Sequence, residues 1–426
     1  MATYFAAGFP SFELDSEQLR NALETTLDLL GDRKKILALP PDHTRIHSRA
    51  GELTCMLHEI VGERLTDVMP ALGTHKKMSP EKLTEMFPGL PQDLVREHKW
   101  RDDVVTVGEV DADFVSKVTE GIWKQPWQAQ LNRMIRDGGH DLILSIGQVV
   151  PHEVIGMANY NKNIFIGTGG QAGINESHFI GAAYGMERMM GRMNTPLRLI
   201  LNHAQENFCK DMPIVYVLTV MGNRPDGSLA TRGLFIGDDH ECFKLACDLS
   251  AQVNVTMLDK PLKKVVVYLD PVEFESTWLG NKSIYRTRMA IADEGELIVL
   301  GPEVSEFGED PAIDSLIRKY GYRTTPEIMK FVEENDDLRG NLSAAAHLIH
   351  GSSEGRFTIT YCPGKLTAEE IHSVGYHYGD LTEMTAKYDP AKLDDGMNTM
   401  PDGEEIFFVR NPALGLWAER SRWEAS

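Results

Sequence analysis

The chain has 426 residues, of which 42% are hydrophobic and 25% are charged, a composition typical of a folded globular protein with two or three domains. The 63 acidic residues outnumber the 43 basic ones, and the resulting net charge of −20 repels nucleic-acid phosphates and anionic lipid. We therefore expect no nucleic-acid partner and no membrane partner.

The cysteines and the N-terminal residues indicate a cellular compartment. The five cysteines are scattered and form no CxxC pair, which disfavours a disulfide framework and a cysteine zinc site. The first residues lack a basic segment and reach Glu13 and Asp15 before any long apolar stretch, so we predict no signal peptide. No apolar run approaches the 18 residues or so that a membrane span needs. We predict a cytoplasmic protein.

Short β-branched runs alternate with longer amphipathic stretches, a pattern that predicts an α/β fold of mainly parallel sheets flanked by helices. In the first half of the chain, strands are predicted over 35–39, 67–72, 141–146, 197–201 and 214–220. Polar side chains follow several of these strands. Because ligands bind beyond the carboxyl ends of parallel strands, we expect one crevice to hold Asp42, Arg45, His75 and His152.

A second set of predicted strands covers 263–270, 295–301, 356–362 and 404–410, with helices over 311–321 and 325–335 between them. The turn near residues 259–264 separates the two sets. We therefore predict two domains, each built on a mainly parallel sheet. The first comprises 1–262, completed by the C-terminal segment 404–426, and the second comprises 263–403.

Residues 151–178 combine two histidines, a lysine and a cluster of four glycines at 167–173, and glycines at that density let backbone N–H groups approach an anion. The segment matches neither GxGxxG nor a P-loop. A mobile surface loop is the alternative interpretation. In the earlier segment after the first strand, Arg45 offers a fork for a carboxylate or phosphate, and Asp42 can accept hydrogen bonds from hydroxyls.

The order and spacing of these residues resemble the nickel-pincer-dependent lactate racemase family over nearly the whole chain. The DxTR motif of that family corresponds to Asp42, Thr44 and Arg45, and its strand-end histidine corresponds to His75. A third motif of the family corresponds to the residues His152, Gly156, Lys162 and His178. A weaker match to its "NIYQ" segment covers 283–286.

The resemblance implies a fold, a cofactor and a reaction. The first domain would bind the cofactor through Asp42, Thr44 and Arg45, the second would cap the substrate, and the active site would lie in the interdomain cleft. The cofactor would be a nickel-pincer nucleotide, pyridinium-3-thioamide-5-thiocarboxylic acid mononucleotide, linked covalently to Lys162, with His178 as the protein ligand of nickel. A hydride would leave Cα of a 2-hydroxy acid for the cofactor and return to the other face, while His75 and His152 exchange the hydroxyl proton. Cofactor biosynthesis proteins would be transient partners.

Three departures from the family pattern concern the cofactor loop and the substrate. Residues 158–161 read Ala-Asn-Tyr-Asn where most of the family has Ser-Gly-Gly-Arg. Arg286 stands at a glutamine position, Arg288 or Met289 lies near a lysine position, and the expected tryptophan is missing around 341–346. We therefore expect substrate contacts from Arg45, Tyr285, Arg286 and Arg288, and a substrate more polar than lactate, either a sugar acid or a dicarboxylic hydroxy acid. In the alternative, Arg286 points to solvent or pairs with Glu273 or Glu275.

Two other functions stay open from the sequence. The glycines at 167–173 could serve a nicotinamide-dependent oxidoreductase acting on a hydroxy acid. The same scaffold could also belong to a protein that binds acids or carries a cofactor without catalysis. Two titratable histidines at separate strand ends favour catalysis, because a binding protein needs cations rather than proton acceptors.

Overall fold

A computed structural model describes residues 2–73, 75, 77–224 and 227–426 of the chain, without the side chain of Leu414. The strands in these residues are β1 (Thr3–Gly8), β2 (Ile36–Leu39), β3 (Leu65–Val68), β4 (Val104–Val110), β5 (Trp127–Asn132), β6 (Leu142–Gln148), β7 (Pro151–His152), β8 (Gly156–Met157), β9 (Ile214–Asn223), β10 (Leu229–Gly237), β11 (Val255–Leu258), β12 (Leu262–Tyr268), β13 (Ile291–Gly301), β14 (Thr358–Pro363), β15 (His377–Tyr378), β16 (Gly396–Thr399), β17 (Glu405–Val409) and β18 (Leu416–Glu419).

The helices are α1 (Ser16–Leu30), α2 (Ala50–Val61), α3 (Pro80–Met86), α4 (Ala112–Val118), α5 (Arg133–Asp137), α6 (Gln171–Tyr184), α7 (Met186–Met189), α8 (Pro196–Phe208), α9 (His240–Asn254), α10 (Thr277–Gly280), α11 (Lys282–Tyr285), α12 (Pro311–Tyr320), α13 (Thr325–Glu334), α14 (Asp336–Arg339), α15 (Leu342–His350), α16 (Ala368–Ser373), α17 (Leu381–Lys387) and α18 (Arg420–Ala425). No helix in the described part of the chain is both long enough and apolar enough to cross a membrane.

The chain divides into two compact units. The N-terminal unit comprises Met1–Ile180 and Met189–Asn254, and the C-terminal unit comprises Gly181–Arg188 and Val255–Ser426. The first sheet has the order β1-β10-β9-β6-β2-β3, with parallel pairing from β9 to β3 and antiparallel pairing at β1 and β10. All of β2 and β6 is buried, and each fully buried aliphatic side chain contributes about 1.5–3 kcal/mol to stability.

The second sheet has the order β15-β14-β13-β12-β17-β16, and every pair is parallel except β16 with β17. Its core combines Val266 and Ile298 from the central strands with Phe408 from β17. The mixed α/β class with parallel-rich sheets flanked by helices is therefore confirmed.

One predicted strand, 197–201, is wrong, because these residues lie in α8. Thr195 caps the helix by accepting from the Arg198 backbone N–H, and Pro196 occupies the first turn. The buried apolar residues Leu197, Ile200, Leu201 and Ala204 recur every three or four positions, which is the period of a helix. The threonine and proline were the sequence signal for this helix start.

The C-terminal segment also differs from its predicted place. β17 pairs with β12 in the second sheet, and β18 pairs with β11. The apolar run of β17 has buried strands to pair with there, so residues 404–426 lie in the C-terminal unit rather than completing the first domain. The unit boundary falls at 254–255 rather than 262–263. The roles of cofactor binding and substrate capping stay predictions.

Candidate active site

Asp42 follows the buried strand β2 and begins a short 3-10 helix, His43–Ser48. Its carboxylate accepts hydrogen bonds from the Thr44 backbone N–H at 3.2 Å and from the Thr44 hydroxyl at 2.5 Å. Thr44 therefore orients Asp42, a role that explains why a threonine stands between Asp42 and Arg45.

His75 completes this arrangement, because its Nδ1 lies 2.6 Å from the second carboxylate oxygen of Asp42. Burial opposes ionisation of Asp42, but the hydrogen bonds from His75 and Thr44 outweigh it and hold the pKa of Asp42 below its ordinary value. A carboxylate only accepts hydrogen bonds, so His75 donates from Nδ1 and in its neutral form keeps a lone pair on Nε2. The exposed His75 side chain thus presents Nε2 as a base, while the hydrogen bond from Nδ1 to Asp42 orients the ring.

His152 lies in the short antiparallel pair formed by β7 and β8, opposite Gly156. Gly156 has φ +87°, and a Cβ there would lie 2.0 Å from the Arg192 carbonyl oxygen, so both backbone conformation and space require glycine. The Val154 N–H donates to His152 Nδ1 at 3.1 Å, which leaves the proton of the neutral imidazole on Nε2. Burial lowers the pKa of His152 well below its ordinary value, and the charges of Lys162 and Arg45 lower it further.

Lys162 directly precedes a turn of π-helix, Asn163–Gly167, and its side chain is half-buried. Burial and the positive charge of Arg45 lower the pKa of Lys162 to about 8, although Glu153 and Asp42 act in the opposite direction. Within the described residues the amine has no hydrogen-bond or ion-pair partner. A substantial neutral fraction near pH 8 makes this lysine a candidate nucleophile.

His178 lies on α6, one turn after Ile174, whose carbonyl oxygen accepts a hydrogen bond from His178 Nδ1 at 2.7 Å. The neutral ring therefore carries its proton on Nδ1 and keeps the Nε2 lone pair for a metal. Metal-binding histidines commonly donate their second N–H to a backbone carbonyl in this way. Burial lowers the pKa of His178, which keeps the ligand form neutral.

The structure brings these residues into one electrostatic neighbourhood although they come from four segments of the sequence. The charge of Lys162 acts on His152 and on His178, and His75 acts on His178 as well. Arg45 acts on both Lys162 and His152. His152, His178, Lys162 and Arg45 of the N-terminal unit therefore lie close enough to influence one another's charge, and their place in one crevice stays a prediction.

The glycines between Lys162 and His178 are required by packing within the chain. A Cβ at Gly169 would lie 1.8 Å from the Phe165 carbonyl oxygen, and one at Gly170 would lie 2.2 Å from a side-chain oxygen of Gln130. The buried His98 donates from Nε2 to the Gly169 carbonyl oxygen at 3.0 Å and accepts from Asn132 at 3.0 Å. The loop is thus tied down from inside, and the mobile-surface interpretation does not describe it.

The turn before Lys162 has a left-handed backbone without glycine. Asn159 has φ 65° and Tyr160 has φ 57°, at the two positions where the resembling family has Gly-Gly. Each such residue costs roughly 1–2 kcal/mol, less for asparagine. The Tyr160 ring packs between Tyr216, at 4.3 Å between ring centroids, and Phe243, at 4.8 Å. The packing of the Tyr160 side chain compensates for the cost of a left-handed backbone that glycine would adopt without strain.

The expected substrate contacts of the C-terminal unit lie inside it. Arg286 and Arg288 are each 2% exposed. Arg288 donates to Glu187 at 2.8 Å and to the Ser352 carbonyl oxygen at 3.2 Å, and Arg286 donates to the Gly415 carbonyl oxygen at 2.9 Å. Tyr285 is buried near the His350 ring. Arg286 therefore does not point to solvent, and the charge of Arg288 is paired within the protein.

Sequence reasoning missed three residues that position Lys162 and the glycine loop. Asn163 donates to the Leu39 carbonyl oxygen at 3.0 Å and to Ser145 at 2.9 Å, which ties the π-helical turn to the ends of β2 and β6. His98 ties down Gly169, and Arg198 holds the left-handed turn. Only Asn163, adjacent to the lysine, had a signal in the sequence.

No group of three or more histidine, cysteine, aspartate or glutamate side chains in the described ranges could hold a metal ion. A metal at His178 would take its other ligands from a bound group.

Comparisons with known proteins concern the family of the N-terminal part and the fold. Residues 14–189 match the family described as the lactate racemase N-terminal domain. The fold resembles a crystal structure of a Thermotoga maritima protein, with TM-score 0.79 and 23% identity over 96% of this chain and 100% of that one. It also resembles the lactate racemase apoprotein from Thermoanaerobacterium thermosaccharolyticum, with TM-score 0.71 and 14% identity over 98% of this chain and 100% of that one. A search of curated protein sequences finds no match.

Proposed function

We propose that the chain is an isomerase that racemises or epimerises C2 of a 2-hydroxy acid, because residues 14–189 match the lactate racemase N-terminal domain family. The observation that supports this most directly is the joint setting of Lys162 and His178. One is a half-buried amine whose pKa lies near 8, and the other is a neutral imidazole with Nε2 left for a metal. A nucleophile and a metal ligand that influence each other electrostatically suit a tethered metal cofactor.

The donor set fits a nickel-pincer nucleotide. Lys162 would carry the covalent link, His178 Nε2 would bind nickel, and Arg45, oriented beside Asp42 and Thr44, would face the anionic parts of the nucleotide. When bound, this group supplies a hydride acceptor and donor at the substrate carbon.

The two histidines would manage the hydroxyl proton. His75 Nε2 carries a lone pair, and His75 Nδ1 donates to the Asp42 carboxylate. This carboxylate stabilises the imidazolium that forms when His75 takes a proton. His152 carries its proton on Nε2 in the neutral form and can hold the substrate oxygen by donating a hydrogen bond. Because burial disfavours the imidazolium of His152, the two histidines would contribute unequally to the two directions of the reaction.

We propose a substrate more polar than lactate, a sugar acid or a dicarboxylic hydroxy acid. Arg45 in the N-terminal unit supports an acid as substrate, because its guanidinium suits a carboxylate, and the preference for a polar acid comes from the arginines at 286 and 288. The support from Arg286 and Arg288 is weaker than the sequence indicated, because both are buried and Arg288 is paired with Glu187. The nicotinamide alternative relied on the glycines at 167–173, of which Gly169 and Gly170 serve internal packing.

The test combines mass, metal content and turnover. The chain should be produced in a host that makes the pincer nucleotide and in one that does not, with Lys162→Ala as the matched control. We expect an added mass and nickel only in the first host and only with Lys162, together with interconversion of the C2 isomers of lactate, malate or gluconate by chiral chromatography. Turnover that needs free NAD and no nickel would refute the proposal. Preference for lactate over both polar acids would refute the substrate assignment.

A further inference from the structure

The left-handed turn that precedes Lys162 is held by a side chain from a distant helix. Arg198 on α8 donates to the Met157 carbonyl oxygen at 2.6 Å and to the Asn159 carbonyl oxygen at 3.3 Å. It also donates to the Asn161 side-chain oxygen. One guanidinium therefore contacts Met157, Asn159 and Asn161, which are alternate residues of the turn. Its planar arrangement of N–H donors allows it to reach all three.

This arginine is unusual in its burial and its partners. Arg198 is fully buried, and no carboxylate in the described part of the chain pairs with it. Its Cζ lies 4.4 Å from the Phe243 ring centroid. A buried cation without an anionic partner is unfavourable unless hydrogen bonds and ring contacts compensate it. A neutral residue would serve a purely structural purpose with less desolvation, so the retained charge points to the site beside it.

We propose that Arg198 is the positioning residue of the Lys162 amine, holding the 157–161 turn in the left-handed conformation that carries Lys162 into the site. Asn161 extends the contact, because its side chain also donates to Asn202 of α8 at 2.7 Å. On the other side of Lys162, Asn163 is tied to β2 and β6. Both residues that flank the lysine are thus anchored, and Arg198 supplies the anchor on the side where the backbone is strained.

The charge of Arg198 has a second consequence for the same amine. The charged groups that act on Lys162 are Arg45 and Arg198, which disfavour its protonation, and Glu153 and Asp42, which favour it. Arg198 therefore affects both the position and the reactivity of Lys162. The inference rests on the proposed role of Lys162 as the attachment point, but its test needs no cofactor.

The experiment measures Lys162 in the chain made without cofactor. Trace acetylation with acetic anhydride from pH 6 to 11, read by mass spectrometry, reports the unprotonated fraction of Lys162, with the exposed Lys392 as internal reference. Hydrogen exchange reports the amides of 157–161. We expect half-maximal labelling near pH 8 in the parent. Arg198→Met should raise that midpoint, lowering the rate at pH 7 about threefold or more, and should speed exchange in the turn.

Arg232→Met is the matched control, because Arg232 is also buried but pairs with Glu13. It should lower stability without changing the Lys162 profile. Should Arg198→Met fail to fold, Arg198→Lys keeps the charge but cannot span three oxygens, so it should speed exchange in the turn while leaving the midpoint near pH 8. An unchanged profile and unchanged turn exchange in the Arg198 variants would overturn the inference. A parent chain without adduct in the cofactor-producing host would instead refute the proposed function.

Discussion

Lys162 and Lys264 are both partly buried lysines, yet their surroundings shift their pKa values in opposite directions. Lys264 forms ion pairs with Glu296 at 3.0 Å and Glu404 at 2.5 Å. Burial disfavours its charge, but these bonds outweigh burial and raise the pKa of Lys264. Burial and the positive charge of Arg45 both disfavour the charged form of Lys162, so its pKa falls to about 8.

The difference separates a lysine engaged in ion pairs from a candidate nucleophile. Glu404 binds Lys387 at 2.8 Å and Tyr388 at 2.8 Å as well as Lys264, so the charge of Lys264 belongs to a local network of paired groups. The Lys162 amine keeps its lone pair available because no such network surrounds it. A carboxylate partner, rather than depth of burial, decides which lysine can act as a nucleophile.

The largest effect should come from removing the reactive lysine. Lys162→Ala should abolish both the covalent adduct and racemisation, while its melting temperature stays near that of the parent because no hydrogen bond is lost. Intact mass, chiral turnover and thermal unfolding measure the three quantities. Lys264→Ala is the matched control and should keep the adduct while losing stability. An adduct that persists in Lys162→Ala would contradict the assignment.

Loss of either histidine should slow the reaction by a smaller but still large factor. His75→Ala and His152→Ala should each lower kcat by about a hundredfold to ten-thousandfold, the range for a lost general acid or base. The two losses should differ between the directions, because His75 hydrogen-bonds the Asp42 carboxylate at 2.6 Å, whereas the Glu153 carboxylate lies 3.7 Å from His152 Nδ1. Rates are to be measured from each pure isomer. Near-parental turnover in both directions would remove that histidine from the mechanism.

His178→Ala should separate the metal from the tether. The variant loses one nickel donor without touching Lys162, so the organic adduct should remain while nickel affinity falls by about a hundredfold or more. Intact mass and metal analysis of the same sample distinguish the two. His203→Ala, a half-buried histidine of α8 that packs against Phe114, is the control. Full nickel occupancy in His178→Ala would show that another group binds the metal.

Removing a charge from the network around Glu404 should lower the stability of the protein without changing its activity. Glu404→Gln removes charge-assisted bonds to Lys264 and Lys387, so we expect a loss of about 1.5–3 kcal/mol in the free energy of unfolding. Chemical denaturation measures the loss. The labelling profile of Lys162 and the racemisation rate should not change. A changed rate would show that the network reaches the active site.

The smallest expected effect is on the stability of the protein at acid pH. Burial disfavours ionisation of Glu404, but Lys264, Lys387 and Tyr388 outweigh it and lower its pKa to about 2. A carboxyl group with a lowered pKa in the folded state stabilises the protein above its unfolded pKa of about 4.3, and that contribution disappears as pH falls towards 2. The free energy of unfolding, measured between pH 5 and 2, should therefore fall more steeply with falling pH in the parent than in Glu404→Gln. Identical slopes would exclude Glu404 as a source of acid sensitivity.

The sequence by itself determined the fold class, most central strands and the order of the motif residues. The predicted strands 35–39 and 141–146 each contain a nearly continuous apolar run, Ile36–Leu39 and Leu142–Leu144, and that local pattern is enough to predict a buried parallel strand. The rule that polar residues meet beyond strand ends predicts Asp42, Arg45, His75 and His152 in one crevice, and of these the structure shows Asp42 and His75 in direct contact. The α8 segment was misread because its apolar residues were counted as a run, although Thr195 and Pro196 indicate a helix start.

Only the tertiary structure decided what the site residues can do. The free nitrogen of His178 depends on the Ile174 carbonyl oxygen, that of His75 on Asp42, and the lowered pKa of Lys162 on burial and Arg45. The turn before Lys162 depends on Arg198, which lies 37 to 41 residues further along the chain than the residues it contacts. Desolvation and hydrogen-bond partners are set by groups that are distant in sequence, so no local pattern contains them.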